Sequence, residues 1–317
     1  MNTCAMRCPS LKELIDIPTS LRGWPWTEET VSFPLIAPEG SSWPRISVIT
    51  PSLNQARFLE QTMRSVLLQG YPNLEYIVID GGSKDGSVDI IRRYDKCLAY
   101  WVSEPDRGQS HAINKGLSRA TGGIVAWLNS DDYYLPGTLQ IIAEQAVLHP
   151  NAGAWAGGGR QIDPETGKQL WERLPPPLTH NEILNWNQYY LPQPSCFMNR
   201  RVLGEKVYLD ERYHMQMDFD LWLRISKDFE MIPINQVLSV NYRHGEAKTG
   251  RVDLRYRAFA EKWTICLEYG GIEHTTNEIE RTLRGDIELV EKLRRLSQNK
   301  LIRPFVPLLK RLLRKYL

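Results

Sequence analysis

The chain has 317 residues, 42% of them hydrophobic and 24% charged, which is the profile of a soluble globular protein with one large domain or two ordinary ones. No run approaches about 20 uninterrupted apolar residues, and the N-terminus lacks a long apolar segment with a small-residue cleavage site. A spanning helix and a secretory signal are therefore not expected, and the protein is placed in the cytosol.

The formal net charge of +2 hides an asymmetry. From Lys292 onward there are nine Lys or Arg and no acid, leaving 30 bases against 37 acids, a net −7, in the residues before it. Such an acidic body excludes a general nucleic-acid binder. The five cysteines (Cys4, Cys8, Cys97, Cys196, Cys266) are odd in number and scattered, so reduced thiols are expected.

Residues 1–43, with Pro18, Pro25, Pro34 and Pro38 and the tryptophans Trp24, Trp26 and Trp43, read as an irregular arm over the main domain. From Pro44 the pattern changes. Ile46 to Thr50 is a β-branched strand, Pro51 to Asn54 a turn, and Ala56 to Gln69 an amphipathic helix. Leu74 to Ile79 forms the next strand, Ser87 to Tyr94 a helix, Leu98 to Ser103 a third strand and Gln109 to Ala120 a further helix. Strand and helix alternating at this spacing predict a parallel sheet with right-handed crossovers.

The apolar run Ile124 to Leu128 then ends abruptly in Asn129, Ser130, Asp131 and Asp132. At the carboxyl end of a parallel strand, two adjacent carboxylates suit Mg²⁺ or Mn²⁺ on a diphosphate. Read alone, they are equally a solvated turn with aspartates capping a helix from Leu135 to Leu148. Further on come a helix from Thr138 to Leu148, a strand near Ala152 to Ala156, a hairpin turn at Asp163 to Gly167, a helical segment around Met217 to Arg224 and strands at Met231 to Ile234 and Val237 to Tyr242. Helices from Val252 to Tyr269 and from Asn277 to Leu296 complete the body.

Polar residues close several successive strands, but no Gly-x-Gly-x-x-Gly follows the first of them and no P-loop is present, which argues against a dehydrogenase and an NTPase. In order, the chain carries Thr50-Pro51-Ser52-Leu53-Asn54, then Asp80-Gly81-Gly82-Ser83-Lys84-Asp85-Gly86-Ser87, Glu104-Pro105-Asp106-Arg107-Gly108 and Asn114-Lys115-Gly116. Leu128-Asn129-Ser130-Asp131-Asp132, Gln193-Pro194-Ser195, Asp218-Phe219-Asp220-Leu221-Trp222-Leu223-Arg224 and Tyr242-Arg243-His244 with Lys248-Thr249 follow. Together these resemble glycosyltransferase family 2.

The resemblance implies an α/β GT-A fold: a Rossmann-like, mostly parallel sheet flanked by helices, with a helical C-terminal extension. Its glycosyltransferase domain would span 44–250, divided into a nucleotide-sugar half (44–158) and an acceptor half (159–250), with 251–317 as the extension. It also implies inverting, metal-dependent transfer from a UDP-, GDP- or dTDP-sugar to a saccharide or lipid-linked acceptor, in surface polysaccharide or glycolipid synthesis. Pro51, Ser52, Asn54, Asp80, Ser83, Asp85, Arg107, Asn114, Asn129 and Ser130 then contact the nucleotide-sugar, Asp80 at the base. Asp131, with Asp132 or His244, holds Mn²⁺ or Mg²⁺, and Asp218 is the catalytic base. Gln193, Ser195, Asp220 and Arg243 lie toward the acceptor. Asn129 departs from the family's Asp-x-Asp signature, since an amide adds no charge. A sugar nucleotidyltransferase and a non-catalytic, membrane-associated sugar-binding scaffold are the alternatives; the first lacks its Gly-rich loop here.

From Leu301 to Leu317 basic and apolar residues alternate with helical period, too short a stretch to cross a bilayer of about 30 Å. Two readings stand: a peripheral contact with the inner membrane surface, or a terminal helix packed on protein.

Overall fold

A computed structural model of the chain describes residues 8–14, 20–31, 33–34, 37, 40, 42–185, 191–245, 247–248 and 254–298. The basic tail from Leu301 to Leu317, and the residues Cys4, Tyr190 and Thr249, lie outside the described residues. The chain divides into two compact units, Met1–His244 and Gly245–Leu317.

In the first unit, β1 (Ile46–Ser52), α1 (Ala56–Leu67), β2 (Leu74–Asp80), α2 (Ser87–Arg93), β3 (Tyr100–Ser103), α3 (Gln109–Arg119) and β4 (Ile124–Trp127) alternate as expected. They are followed by β5 (Asp132–Tyr134), α4 (Thr138–Leu148), β6 (Ala154–Ile162), β7 (Gln169–Arg173), α5 (His180–Leu184), β8 (Cys196–Asn199), α6 (Arg200–Leu203), α7 (Met217–Asp228) and β9 (Met231–Tyr242). The strands form one sheet in the order β3-β2-β1-β4-β8-β6-β9-β5, with β7 paired to β6.

Strands β3, β2, β1 and β4 are parallel, and their register sets Ser52 beside Asp80 and Asp80 beside Ser103 at one edge. Every residue of β1 and β2 is buried, the mark of strands covered on both faces. On one face α1 seals the sheet with Phe58, Leu59, Met63 and Val66. Beyond β4 the sheet is mixed: β8 runs antiparallel to β4 and β6, β9 parallel to β6, and β5 antiparallel to β9. The parallel expectation thus describes the first four strands, and the antiparallel members belong to the half after Asn129.

Two elements differ from the sequence expectation. Met231 to Tyr242 is one strand rather than two, and the irregularity needed around Asn235 is absorbed by register shifts against Gly157, Gly158 and Gly159 of β6. The helix spans Thr138–Leu148 as the sequence pattern has it, after Gly137 in the left-handed conformation, and not from Leu135 as the capped turn requires. Three residues, Asp132–Tyr134, pair with β9 instead. Asp131 and Asp132 therefore do not cap a helix.

The N-terminal arm packs on this unit through buried polar groups. Arg64, 1% exposed, donates to the carbonyls of Pro25 (3.0 Å) and Trp26 (3.1 Å) and to the Tyr94 hydroxyl (3.1 Å). Trp24 Nε1 donates to the Tyr134 carbonyl at 2.7 Å.

The second unit holds α8 (Arg255–Glu268) and α9 (Ile272–Gln298), joined by a buried pair, Lys262 Nζ to Glu278 Oε1 at 3.0 Å. Among the described residues no helix is long and apolar enough to cross a membrane. The described cysteines, Cys8, Cys97, Cys196 and Cys266, are free thiols.

Candidate active site

The parallel strands aim their carboxyl ends at one edge, where open α/β sheets hold ligands. There Asp80 is fully buried and its oxygens take four donors. Oδ1 accepts from the Ser83 hydroxyl (2.5 Å), and Oδ2 from Gly82 N–H (3.0 Å), Ser83 N–H (2.9 Å) and the Ser103 hydroxyl (2.6 Å). A carboxylate offers about two lone-pair sites on each oxygen, so the turn saturates Oδ2 and leaves Oδ1 able to accept one donor more.

The neighbouring predicted residues serve the same turn. The Ser83 hydroxyl also accepts Asn54 N–H at 2.8 Å, and Asn54 Oδ1 accepts Lys84 N–H at 2.9 Å. Asn54 has φ +53°, a left-handed conformation that asparagine tolerates. Asp85 accepts from Ala56 N–H (2.8 Å) and from Ser87 N–H (3.0 Å) and hydroxyl (2.6 Å). Desolvation opposes ionisation of Asp85, yet these bonds from Ser87 and Ala56 hold its carboxyl below the usual carboxylate range. The loop after β1 and the turn after β2 are stapled together by side chains. Pro51 lies inside β1 opposite Ile79, and the buried Ser52 hydroxyl has no hydrogen-bond partner among the described residues.

Where β4 ends, Asp132 N–H donates to the Asn129 carbonyl at 3.0 Å and closes a tight turn, with Ser130 buried inside it. The Asn129 amide is the centre of a chain of amides. Its Oδ1 accepts Gln109 Nε2 (2.7 Å), its Nδ2 donates to Asp132 Oδ2 (3.0 Å) and Gln193 Oε1 (3.1 Å), and Gln193 Nε2 donates to the Trp127 carbonyl (2.9 Å). Asp132 is 6% exposed. Burial, and then the charge of Asp131, push its carboxyl well above the usual range, against the bond from Asn129.

Asp131 meets a residue 113 positions away: its Oδ2 lies 3.1 Å from His244 Nε2. Phe58 packs against that imidazole, with ring centroids 4.7 Å apart. Among the described residues no group of three or more His, Cys, Asp or Glu side chains forms a metal cage. The pair nevertheless fits one divalent ion. Two adjacent ligands of an octahedral ion at about 2.1 Å stand about 3 Å apart, and such ions take their remaining ligands from phosphate and water. Asp132, expected as an alternative ligand, is buried against Asn129 and stands outside this pair.

On the acceptor side, Asp218 lies in the first turn of α7, half-buried, and its Oδ1 accepts Phe219 N–H at 2.9 Å. Burial, and then the nearby Asp218 charge, raise the Cys196 thiol at the start of β8 well above its ordinary range. Trp222 of α7 stacks on Trp127 of β4, which fixes the helix at the end of the strand that carries the Asn129 turn.

Other residues expected to reach the acceptor or the donor are engaged elsewhere. Asp220 is buried and accepts from Arg224 at 2.5 Å, while Arg224 also donates to the Tyr208 carbonyl at 2.7 Å. Ser195 is fully buried, donating to the Gly158 carbonyl at 2.6 Å beside the Ser239 hydroxyl. Asn114 clamps the Leu209 backbone through both its amide atoms at 2.9 Å, and Arg107 pairs with Glu211 at 2.8 Å. Arg243 is exposed at the end of β9. Its charge falls on Asp163, whose carboxyl is held low first by Thr166 and Glu165 N–H groups.

A carboxylate–imidazole pair thus stands at the edge of a parallel sheet, and the Trp127–Trp222 stack ties to that sheet the helix that bears Asp218. The family model described as "Glycosyl transferase family 2" matches residues 47–206. The chain belongs to glycosyltransferase family 2.

Among its relatives in the family, TuaG of Bacillus subtilis, a protein named for teichuronic acid biosynthesis, is 34% identical over 148 residues, covering 45% of this chain and 59% of TuaG. The uncharacterized glycosyltransferase Rv1514c of Mycobacterium tuberculosis is 42% identical over 201 residues, covering 62% of this chain and 75% of that one. Two solved structures share the GT-A fold of this family member. S. aureus TarS 1-349 in complex with UDP-GlcNAc superposes with a TM-score of 0.56 at 18% identity over 71% of each chain. The mannosyltransferase PcManGT of Pyrobaculum calidifontis, in complex with GDP-Man and Mn²⁺, gives 0.52 at 19% identity over 86% of each chain.

Neither the bond by which Gln109 orients Asn129 nor the Trp127–Trp222 stack has a signal in the sequence pattern.

Proposed function

We propose that this family 2 glycosyltransferase moves a sugar, with inversion, from a nucleoside-diphosphate donor to an acceptor hydroxyl in the synthesis of a surface polysaccharide or glycolipid. The observation that carries the reading is the Asp131–His244 pair, an oxygen and a nitrogen donor 3.1 Å apart at the carboxyl edge of β4. A relative named for teichuronic acid biosynthesis, and fold neighbours with UDP-GlcNAc and with GDP-Man and Mn²⁺, agree with it.

In this mechanism Asp131 and His244 hold Mn²⁺ or Mg²⁺, which when bound neutralises charge on the leaving diphosphate. The stapled loops after β1 and β2 seat the nucleotide. Asn129, fixed by Gln109 and Gln193, sets the turn on which Asp131 stands. Asp218 accepts the proton of the acceptor hydroxyl as it attacks the anomeric carbon from the face opposite the diphosphate, which inverts that carbon.

Thermal unfolding with a panel of UDP-, GDP- and dTDP-sugars, each with Mn²⁺, tests the donor class, since a ligand that binds only the folded state raises its apparent stability. Stabilisation by none of them sinks the reading. The basic tail is proposed to rest on anionic lipid at the inner face of the membrane, each Lys or Arg contributing about 1 kcal/mol. Liposome flotation of the full chain against one ended before Pro304 tests that; equal flotation overturns it.

A further inference from the structure

The parallel strands have a second end. Arg45, Asn73 and Gly123, the residues immediately before β1, β2 and β4, line a cavity of about 700 Å³ together with Arg200 and Arg201 of α6. That is room for a small organic ligand. With seven residues in β1, at roughly 3.3 Å each, the cavity stands about 20 Å from the edge that carries Asp131.

Three guanidiniums enter this cavity, and among the described residues no Asp or Glu lines it. They do so in a body that carries a net −7 before Lys292, where an acidic partner for each would be easy to find. None of the three forms an ion pair with a described residue. Arg45 gives Nε to Asn73 Oδ1 (3.2 Å) and Nη1 to the Thr121 hydroxyl (2.9 Å), and Arg200 gives Nη1 to the Ala120 carbonyl. Arg201 is exposed, and its Nε lies 2.5 Å from where a Cβ on Gly123 would stand, so this guanidinium rests on glycine backbone. Each guanidinium has five N–H donors, so most of them are left for a ligand. The carboxylate behind the Thr121 wall, Glu75, is 5% exposed, and its oxygens are taken by Ser47 and Thr121.

Like charges gathered in one concave, low-dielectric site repel one another and focus a positive field, which an anion relieves. The guanidinium fork matches the spacing of phosphate oxygens and binds them through paired N–H bonds. Ala146, Val147 and Pro150 give the other side of the cavity an apolar lining. We propose that this cavity is a second ligand site, which binds the phosphate or diphosphate group of an organic phosphate ester on Arg45, Arg200 and Arg201 and sets its organic part against the end of α4. The site is separate from the donor edge and does not rest on the nucleotide-sugar reading.

The test is calorimetric titration of the full chain with inorganic pyrophosphate and with inorganic phosphate, in EDTA and at one ionic strength set with NaCl. The wild type is expected to bind pyrophosphate more tightly than phosphate, and Arg201→Ala to weaken pyrophosphate by about 10-fold, the range of one lost bond between charged groups. Arg45→Gln should weaken it as well, and Arg201→Lys, which keeps the charge, should lose less than Arg201→Ala. Unfolding midpoints without ligand verify that each protein is folded, and binding of UDP with Mn²⁺ should be the same in Arg201→Ala and wild type. Flotation with phosphatidylcholine vesicles, with and without phosphatidic acid, separates the sources of the ester. A gain with phosphatidic acid that Arg201→Ala removes assigns the site to a lipid headgroup; pyrophosphate binding with no such gain assigns it to a soluble ester. A wild type that does not bind pyrophosphate overturns the proposal, as does an Arg201→Ala protein that binds it with wild-type affinity. An equal loss of UDP affinity in Arg201→Ala overturns it too, because the anion would then sit at the donor edge.

Discussion

The indoles of Trp127 and Trp222 stack with their centroids 5.8 Å apart and their planes within 8°. Both are completely buried, one at the end of β4 and the other on α7. The stack is thus the mechanical link between the turn that carries Asp131 and the helix that carries Asp218.

Trp222→Ala removes that link and leaves a cavity, which costs about 3–5 kcal/mol. Trp222→Phe retains most of the contact and is expected to fold, with a lower transfer rate. Thermal unfolding and turnover measured on the two proteins separate these effects. A Trp222→Phe enzyme with wild-type turnover removes the positioning role.

Asp218→Asn is expected to slow transfer by about 10²- to 10⁴-fold, the usual range for a general base, while nucleotide binding stays within a factor of two or so. Single-turnover transfer and nucleotide titration on the same preparation decide the matter. Equal turnover excludes Asp218 as the base.

His244→Ala and Asp131→Ala should each abolish the extra thermal stabilisation that Mn²⁺ gives in the presence of UDP. Asp132→Asn should retain it, because the Asp132 carboxyl is buried against Asn129. If Asp132→Asn also loses the effect, Asp132 takes part in holding the ion.

Asp80→Ala strands four buried or half-buried donors, each costing roughly 1–3 kcal/mol when left unpaired. A fall in unfolding free energy of at least about 3 kcal/mol is expected. A change under 1 kcal/mol or so would show that the turn repairs itself with water.

Glu211 offers a pH test. Desolvation works against ionisation, but bonds from Arg107 and Asn114 hold its carboxyl below the usual range. A depressed carboxyl stabilises the fold above its unfolded value, about 4.3, and that contribution disappears as the pH falls through its lower folded value. The stability difference between wild type and Glu211→Gln should therefore be present at pH 7, at no more than about 1 kcal/mol for so exposed a pair, and vanish in acid. Denaturant midpoints across that range report it.

What was legible in the sequence follows from what is local. The buried runs Ile46–Ser52 and Leu74–Asp80 and the amphipathic α1 show in composition and period, because each is decided by its own residues. The three-residue β5 was not legible: Asp132–Tyr134 is a strand only because β9, a hundred residues away, pairs with it. The site divides in the same way. Asp131 stands out at a strand end, whereas His244 is named beside it by the resemblance alone and is brought to it by the path of β9. Ser195 and Asn114 look like ligand contacts in a motif, yet Ser195 bonds the Gly158 carbonyl and Asn114 the Leu209 backbone. A polar residue in a motif can serve the scaffold as readily as the substrate, and only its bonding partners tell the two apart.

Arg64 gives the N-terminal arm a meaning that its irregular sequence conceals. A guanidinium that sees no bulk water must be solvated by something, and here the carbonyls of Pro25 and Trp26 do what water would. The arm is in that sense an internal solvent for a buried cation. A chain begun at Pro44 would keep every strand and every proposed ligand, but it would bare the apolar surface that Leu14, Phe33 and Trp43 cover and take these carbonyls from Arg64, and it should be recovered aggregated rather than merely less active.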